Sequence, residues 1–207
     1  MHKVAVIDYG MGNLHSVCKA LEKVGGVPVL LSEPADPDAF DHAVLPGVGA
    51  LGDCMRGLHH RGMADWVRSW IRENRPFLGV CLGLQALFER SEEYDAKGLN
   101  ILPGVVRRFQ LSQPYKIPHM GWNAVQFHRL DTVMDKGLLE GEPQFYFDHS
   151  FFVVPEEDSM AWGWTDHGHP FVSAVRSGNC YAVQFHPEKS QAIGLQIYEN
   201  FLRLSRA

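Results

Sequence analysis

The chain has 207 residues, 45% hydrophobic and 21% charged, enough to bury a sizeable core and too apolar for disorder. A net charge of −5 with no basic run argues against a nucleic-acid partner and against an anionic membrane surface. Four scattered cysteines without a C-x-x-C, no apolar run of membrane-spanning length, and an opening Met1-His2-Lys3 that leaves no room for a leader predict a reduced, cytoplasmic protein.

In chain order, Lys3 to Asp8 reads as a buried strand, followed by a glycine turn at Gly10 and Gly12. Asn13 stands where a helix N-cap would, and Val17, Ala20, Leu21 and Val24 recur at helical spacing. Val27 to Leu31 is the next strand, and Ala43 to Leu45 leads into Pro46-Gly47-Val48-Gly49. Met63, Val67, Trp70 and Ile71 mark one helix face, Phe77 to Val80 is a further strand, and Leu84, Leu87 and Phe88 begin the helix after it. Such alternation predicts a parallel sheet covered by helices. From about Leu99 the runs become short and aromatic or β-branched: 105–109, 122–127, 146–154, 160–164, 171–176 and 181–185. Gly, Pro and Asp separate them, which predicts antiparallel strands. Leu195, Tyr198 and Leu202, with Ile197, Phe201 and Leu204 beside them, predict a final helix. The expected fold is α/β: a central, mostly parallel sheet flanked by helices, with an added antiparallel β section, as one domain over residues 1–207.

Chemistry concentrates at Gly79-Val80-Cys81-Leu82-Gly83, between a predicted strand and a predicted helix. A nucleophile at a sharp strand-to-helix turn needs very small neighbours two residues either side, where the chain crowds itself. The helix after Cys81 would aim its free N–H groups and positive end at the sulfur and favour thiolate. Standing alone, the pentapeptide also fits an inert cysteine in a core turn. His186-Pro187-Glu188 follows the last predicted strand. Residues two apart on extended chain face one side, and Pro187 keeps His186 extended. Glu188 can therefore orient one nitrogen of the His186 imidazole while the other faces Cys81. A free thiol, with a pKa of about 8.5, is a few per cent ionised at neutral pH. The greater need is a proton for the group leaving a tetrahedral intermediate, and His186 would supply it. Backbone N–H groups of Val48 and Gly49, with that of Leu82, would converge on a developing oxyanion.

Together these segments resemble the triad-type, class I glutamine amidotransferases and, within them, the glutaminase subunits of imidazole glycerol phosphate synthase. The likeness is carried by Val6-Ile7-Asp8-Tyr9-Gly10-Met11-Gly12-Asn13-Leu14, Pro46-Gly47-Val48-Gly49, Gly79-Val80-Cys81-Leu82-Gly83-Leu84-Gln85, Pro118-His119-Met120-Gly121-Trp122-Asn123 and Gln184-Phe185-His186-Pro187-Glu188-Lys189-Ser190. It covers nearly the whole chain, and Pro118 to Asn123 is the stretch that other amidotransferases lack. The resemblance implies a flavodoxin-like fold and hydrolysis of L-glutamine to glutamate and ammonia through a cysteine thioester. It implies a heterodimer with a (βα)8-barrel cyclase subunit, HisF, which uses the ammonia to make imidazole glycerol phosphate and an aminoimidazole carboxamide ribotide in histidine biosynthesis. By the same resemblance Cys81 is the nucleophile, His186 the acid/base and Glu188 its orienter, with no metal and no cofactor. Val48, Gly49 and Leu82 would lie at the oxyanion site, Gln85, Ser150 and Phe151 in the glutamine pocket, and Asn13, Trp122, Tyr146 and Lys189 against the cyclase. Two positions depart from the family pattern: Asp148 stands where an apolar residue is usual, and Phe151 where Tyr is usual.

Other signals read as structural. Gly10-x-Gly12 has His15 at the third glycine position of a dinucleotide fingerprint and no suitably spaced acidic residue. His59-His60 and His167-Gly168-His169 lack further ligands at metal spacing and read as surface histidines. Cys18, Cys54 and Cys180 read as small core residues. Three rivals are weighed against the glutaminase reading. A cysteine hydrolase of the same fold commonly carries histidine directly after the nucleophile, where this chain has Leu82. A dead scaffold would have lost part of the triad. A glutaminase serving another acceptor, such as pyridoxal phosphate synthase, is disfavoured by Ile7 to Leu14 and Pro118 to Asn123.

Overall fold

In β1 (His2–Ile7), Val4 and Val6 pack on one side of a sheet and Ala5 and Ile7 on the other, all fully buried. That two-residue alternation, apolar on both faces, is what an interior parallel strand requires. The computed structural model describes residues 2–128 and 132–205. After β1 come α1 (Leu14–Lys23), β2 (Gly26–Leu31), β3 (His42–Leu45), α2 (Leu51–His60), α3 (Met63–Arg72), β4 (Phe77–Val80) and α4 (Leu82–Gln85). The second half contains β5 (Arg90–Ser91), β6 (Gly104–Arg108), β7 (His119–Ala124), β8 (Gln126–Phe127), β9 (Gln144–His149), β10 (Phe151–Pro155), β11 (Ala161–Asp166), β12 (Pro170–Ser177), β13 (Cys180–Val183) and α5 (Gln191–Leu202).

The main sheet runs β2-β1-β3-β4-β13-β12-β10-β6-β5. Its first five strands are mutually parallel, and β12, β10 and β6 continue it antiparallel. Strands β7 and β9 form a separate antiparallel ribbon. Helices α1 and α5 cover one face through Val17, Leu21, Ile197 and Phe201, and α2 and α3 cover the other through Leu58, Val67 and Trp70. Because β3, β4 and β13 are parallel, the loops after them open at one edge, where ligands of such sheets bind. Among the described residues no helix is long and apolar enough to cross a membrane.

Several elements differ from expectation for identifiable reasons. The helix expected to run on through Leu87 and Phe88 is one turn long, because the carbonyls of Ala86, Leu87 and Phe88 accept from the N–H groups of residues 99–102. Helix α2 was not expected. Its apolar residues Leu51, Cys54, Met55 and Leu58 have helical spacing, but Gly52 and Gly57 interrupt the pattern. Gly57 is required by packing, since a Cβ there would stand 2.3 Å from the Tyr9 carbonyl oxygen. The run 146–154 breaks at Ser150 into strands of different sheets, and 122–127 breaks at Val125, whose N–H turns to the Pro143 carbonyl. Asn13 occupies the N-cap position of α1, yet its side chain makes no capping bond.

Three interior histidines carry a consequence for stability. Burial lowers His42 to about 4, and lowers His119 and His149 to about 3. In the unfolded chain each titrates near 6.5, so below that pH the unfolded state binds protons that the folded state refuses. Their contribution is complete above about pH 6.5 and is lost as pH falls, at up to about 1.4 kcal/mol per group per pH unit. The thermal midpoint should therefore drop by about 5 °C or more between pH 7 and pH 5, where ordinary carboxylates stay ionised. A midpoint flat over that interval, measured by calorimetry, would contradict this account of the interior.

Candidate active site

Cys81 joins β4 to α4 with φ 54 and ψ −105, a conformation that residues with a side chain rarely adopt. Its N–H donates to the Val183 carbonyl at 2.8 Å, and its own carbonyl accepts from Leu84 and Gln85 at 3.0 and 3.3 Å. The neighbouring glycines are demanded by contact. A Cβ on Gly83 would lie 1.9 Å from the Leu45 carbonyl oxygen, and one on Gly79 would lie 2.9 Å from the Gly83 carbonyl oxygen. Since α4 is a single turn, its dipole is small, and it gives the sulfur less help than the longer helix expected there would have. The loop 46–49 packs onto that turn: a Cβ on Gly47 would come within 2.6 Å of Leu82 Cβ. Val48, Gly49 and Leu82 are thereby brought to the lining of one cavity.

The register of β4 with β13 pairs Val80 with Val183, so Cys81 and the segment leading to His186 leave the sheet side by side. His186 is 2% exposed, and its Nδ1 lies 2.8 Å from Glu188 Oε1. The strand ends at Val183, earlier than expected, and residues 187–189 form a tight 3-10 turn. That turn, in place of extended chain, returns the carboxylate to the imidazole. A backbone clasp fixes His186 further. Its N–H donates to the Tyr146 carbonyl at 2.8 Å, Tyr146 N–H donates to Ser190 Oγ at 3.0 Å, and Ser190 Oγ donates to the His186 carbonyl at 2.6 Å. Burial opposes charge on the ring, but electrostatic and hydrogen-bonding contributions from Cys81 and then Glu188 outweigh it and raise His186 to about 10. The imidazole therefore holds a proton at neutral pH and faces the sulfur as a poised acid.

A cavity of about 300 Å³ opens at Cys81 and His186. Val48, Gly49, Leu82, Gln85, Ser150 and Phe151 all line it. Four lining residues were not anticipated: Glu93, Pro118, His149 and Asp148. Glu93 is brought in by tertiary folding, its Oε2 accepting from Leu51 N–H at the start of α2 at 2.8 Å, and no local pattern marks it. The departure at position 148 thus falls at the cavity itself. Gln85 commits its amide nitrogen inward, to the Phe151 carbonyl and to Gln184 Oε1, both at 3.1 Å, and keeps Oε1 as its remaining acceptor.

Trp122, 48% exposed on β7, sits directly opposite Tyr146 on β9, with the rings edge-on at 6.2 Å. The ammonium of exposed Lys189 lies 5.5 Å from the Tyr146 ring centroid. Asn13 is half-buried at the head of α1, which packs on the 187–189 turn. On the inner face of the same ribbon, His149 Nδ1 donates to the Phe151 carbonyl, His119 Nδ1 to His149 Nε2, and Asn123 Nδ2 to His119 Nε2. His167, expected at the surface, is half-buried and stacks on His119 with ring centroids 4.0 Å apart, whereas His59 and His60 are exposed. Cys54 and Cys180 are buried, but Cys18 is only half-buried. Among the described residues no three His, Cys, Asp or Glu side chains are grouped as a metal site needs.

The family described as "Glutamine amidotransferase class-I" matches residues 5–204. Solved structures agree on the fold. "Structure of PurLQS from Thermotoga maritima" superposes with a TM-score of 0.77 at 20% identity, covering 98% of each chain. "Crystal structure of glutamine amidotransferase" gives 0.75 at 18% identity, covering 97% of this chain and 99% of that one. The chain belongs to the class I glutamine amidotransferases and is an enzyme that hydrolyses glutamine. The sequence relatives are narrower. "Imidazole glycerol phosphate synthase subunit HisH" of Syntrophotalea carbinolica is 47% identical over 204 residues, covering 96% of this chain and 98% of that protein. Its namesake from Synechococcus sp. (strain JA-3-3Ab) is 46% identical over 201 residues, covering 97% and 93%. Within the class, the chain belongs to the HisH subunits.

Replacing Glu188 by Gln keeps the side-chain shape while removing the charge that supports the imidazolium and fixes its tautomer. Glutamine turnover should fall by about 10²- to 10⁴-fold yet stay measurable, whereas Cys81→Ala should reduce it to background. Steady-state glutamate release across pH checks both, and full activity in Glu188→Gln would remove the carboxylate from the mechanism.

Proposed function

We propose that this chain is the glutaminase half of a two-subunit synthase: it frees ammonia from L-glutamine at Cys81 and passes it to a HisF-type cyclase for histidine biosynthesis. The observation that carries the reading is the strained Cys81 held beside the buried His186–Glu188 pair at the head of one cavity. The Cys81 sulfur adds to the side-chain carboxamide carbon of glutamine. Charge moves to the carbonyl oxygen, where the N–H of Leu82 and the loop at Val48 and Gly49 receive it. His186 gives its proton to the amide nitrogen, the C–N bond breaks, and ammonia leaves a γ-glutamyl thioester. His186 then takes a proton from water, which adds to the thioester, and the sulfur is expelled as glutamate forms. Glu93 and Asp148 supply negative charge and Gln85 Oε1 an acceptor for the substrate ammonium, and Ser150 and Phe151 complete the lining.

The partner surface in this reading is the outer face of the β7–β9 ribbon with Lys189, next to Asn13. Met120 and Trp122, both exposed, are two apart on β7, opposite Asp148 and Tyr146, and Asp148 also lines the glutamine cavity. Residues 1–207 act as a single amidotransferase domain, a reading supported by one sheet that spans both halves of the chain. A cytoplasmic setting is supported by four free cysteines, one of which must stay reduced to react.

The test is to combine the chain with a cyclase subunit and its nucleotide substrate, supply amide-labelled glutamine, and add unlabelled ammonium at neutral pH. Label should dominate the imidazole product, since ammonium is protonated there and cannot attack. Trp122→Ala and Lys189→Ala should each weaken the complex, or admit unlabelled nitrogen, without unfolding the subunit. Product nitrogen drawn mainly from the medium by the unaltered complex would contradict delivery between subunits.

A further inference from the structure

Gln184 is fully buried between the two catalytic segments. Its place follows from the strand register: Val80 pairs with Val183, so Cys81 and Gln184 are the next residues to leave adjacent parallel strands. Gln184 Nε2 stands 3.6 Å from Cys81 Sγ, within hydrogen-bonding range of sulfur. At the other end, Gln184 Oε1 accepts from Gln85 Nε2 at 3.1 Å, and Gln85 Nε2 also donates to the Phe151 carbonyl at 3.1 Å.

Nitrogen and oxygen of a carboxamide have nearly the same shape, so the neighbours must decide which end of Gln184 meets the sulfur. The Phe151 carbonyl can only accept, which turns the nitrogen of Gln85 toward it. The second hydrogen on that nitrogen then faces Gln184, whose oxygen has to receive it. The nitrogen of Gln184 is left for Cys81. Reversing Gln184 would set its nitrogen against a donor and its oxygen against the sulfur, at a buried site where neither loss could be recovered from water. One backbone carbonyl, two side chains away, thus sets the polarity presented to the nucleophile.

We infer that Gln184 is a further catalytic residue of the glutaminase reaction, its side-chain N–H donating to the Cys81 sulfur. A donor at sulfur holds the charged form that attacks and aims it along a fixed direction. It also receives the sulfur when the second tetrahedral intermediate collapses and the thiolate leaves. No bond to Gln184 forms or breaks, and the proton stays on the amide. Some intrinsic nucleophilicity is given up in return, because a more stabilised thiolate attacks less readily. The inference rests on Cys81 being the nucleophile. Among the described residues, the titratable groups that feel Cys81 are His186, from the segment after β13, and Tyr9, from the loop after β1; Glu188 supports charge on His186, and His186 in turn opposes charge on His149.

The test uses the full chain in complex with its cyclase. Alkylation of Cys81 by iodoacetamide is followed by peptide mass mapping from acid to alkaline pH, in the wild type, in Gln184→Met and in Gln184→Glu, alongside glutamine turnover. Losing one hydrogen bond to a charged sulfur should displace the Gln184→Met curve upward by about one pH unit. On the alkaline plateau alkylation would then be up to about threefold faster, because the less stabilised thiolate is more reactive, and on the acid side, where the same gain offsets part of the tenfold smaller thiolate fraction, about three- to tenfold slower. A crossover of this kind is the signature of a lost donor, because general damage to the pocket slows the reaction at every pH. Gln184→Glu keeps the acceptor toward Gln85 and offers sulfur a carboxylate, so its curve should move further the same way. That variant also serves if Gln184→Met does not fold. Curves that coincide with the wild type, or fall equally at all pH values, would overturn the role of Gln184. If wild-type protein alkylated at Cys81 still hydrolysed glutamine, the nucleophile assignment would fail instead, and that result needs no Gln184 variant to be read.

Discussion

The site depends on two parallel strands being held in one register. The bond from Cys81 N–H to the Val183 carbonyl continues the β4–β13 ladder one residue past the end of β4, and it does so while Cys81 is bent into a conformation with positive φ. Strain of that kind persists only where the surroundings over-determine it. Here they do so on three sides: Gly79 against the Gly83 carbonyl, Gly83 against the Leu45 carbonyl, and Gly47 against Leu82. Each contact is too close for a Cβ, and a Cβ on Gly79 would also stand 3.0 Å from Ala182 Cβ in β13, so the glycines let three chain segments meet. What meets are Cys81, the loop 46–49 and the segment carrying His186.

The same register supplies the electrostatics. A buried imidazole would ordinarily shed its proton, and burial is the largest influence on His186. The sulfur on one side and Glu188 on the other reverse the outcome. The β7–β9 ribbon is joined to this arrangement twice. Tyr146, whose ring faces outward with Trp122 and Lys189, is clasped through its backbone to both the N–H and the carbonyl of His186, the second by way of Ser190. On the inner face, Asn123, His119 and His149 donate in sequence and end on the Phe151 carbonyl, which also accepts from Gln85. A shift of the ribbon would therefore have hydrogen-bonded routes to His186 and to the cavity wall.

Much of this was legible in the sequence where local pattern and tertiary role coincide. The strands Phe77–Val80 and His42–Leu45 are buried on both faces and read as unbroken apolar runs, and the spaced glycines around Cys81 announce their own crowding. Legibility failed where the deciding contact lies far along the chain. Helix α2 was hidden by Gly52 and Gly57, the second present only because Tyr9 passes over it. The turn after Cys81 stops because residues 99–102 capture its carbonyls. Ser150 looks like the middle of a strand, yet it is where the chain passes from the ribbon into the main sheet. Glu93 and Asp148 carry no motif that would place them at the cavity.

The central claim is that Cys81, set beside a protonated His186, forms a covalent intermediate with glutamine. The direct measurement is to incubate the complex with glutamine, quench with acid within a turnover, and map the peptides by mass. The account predicts a γ-glutamyl adduct on the peptide bearing Cys81, removed by hydroxylamine as a thioester should be, and absent from Cys18, Cys54 and Cys180. Glutamate released at full rate without any such adduct, or with the adduct on another residue, would contradict it.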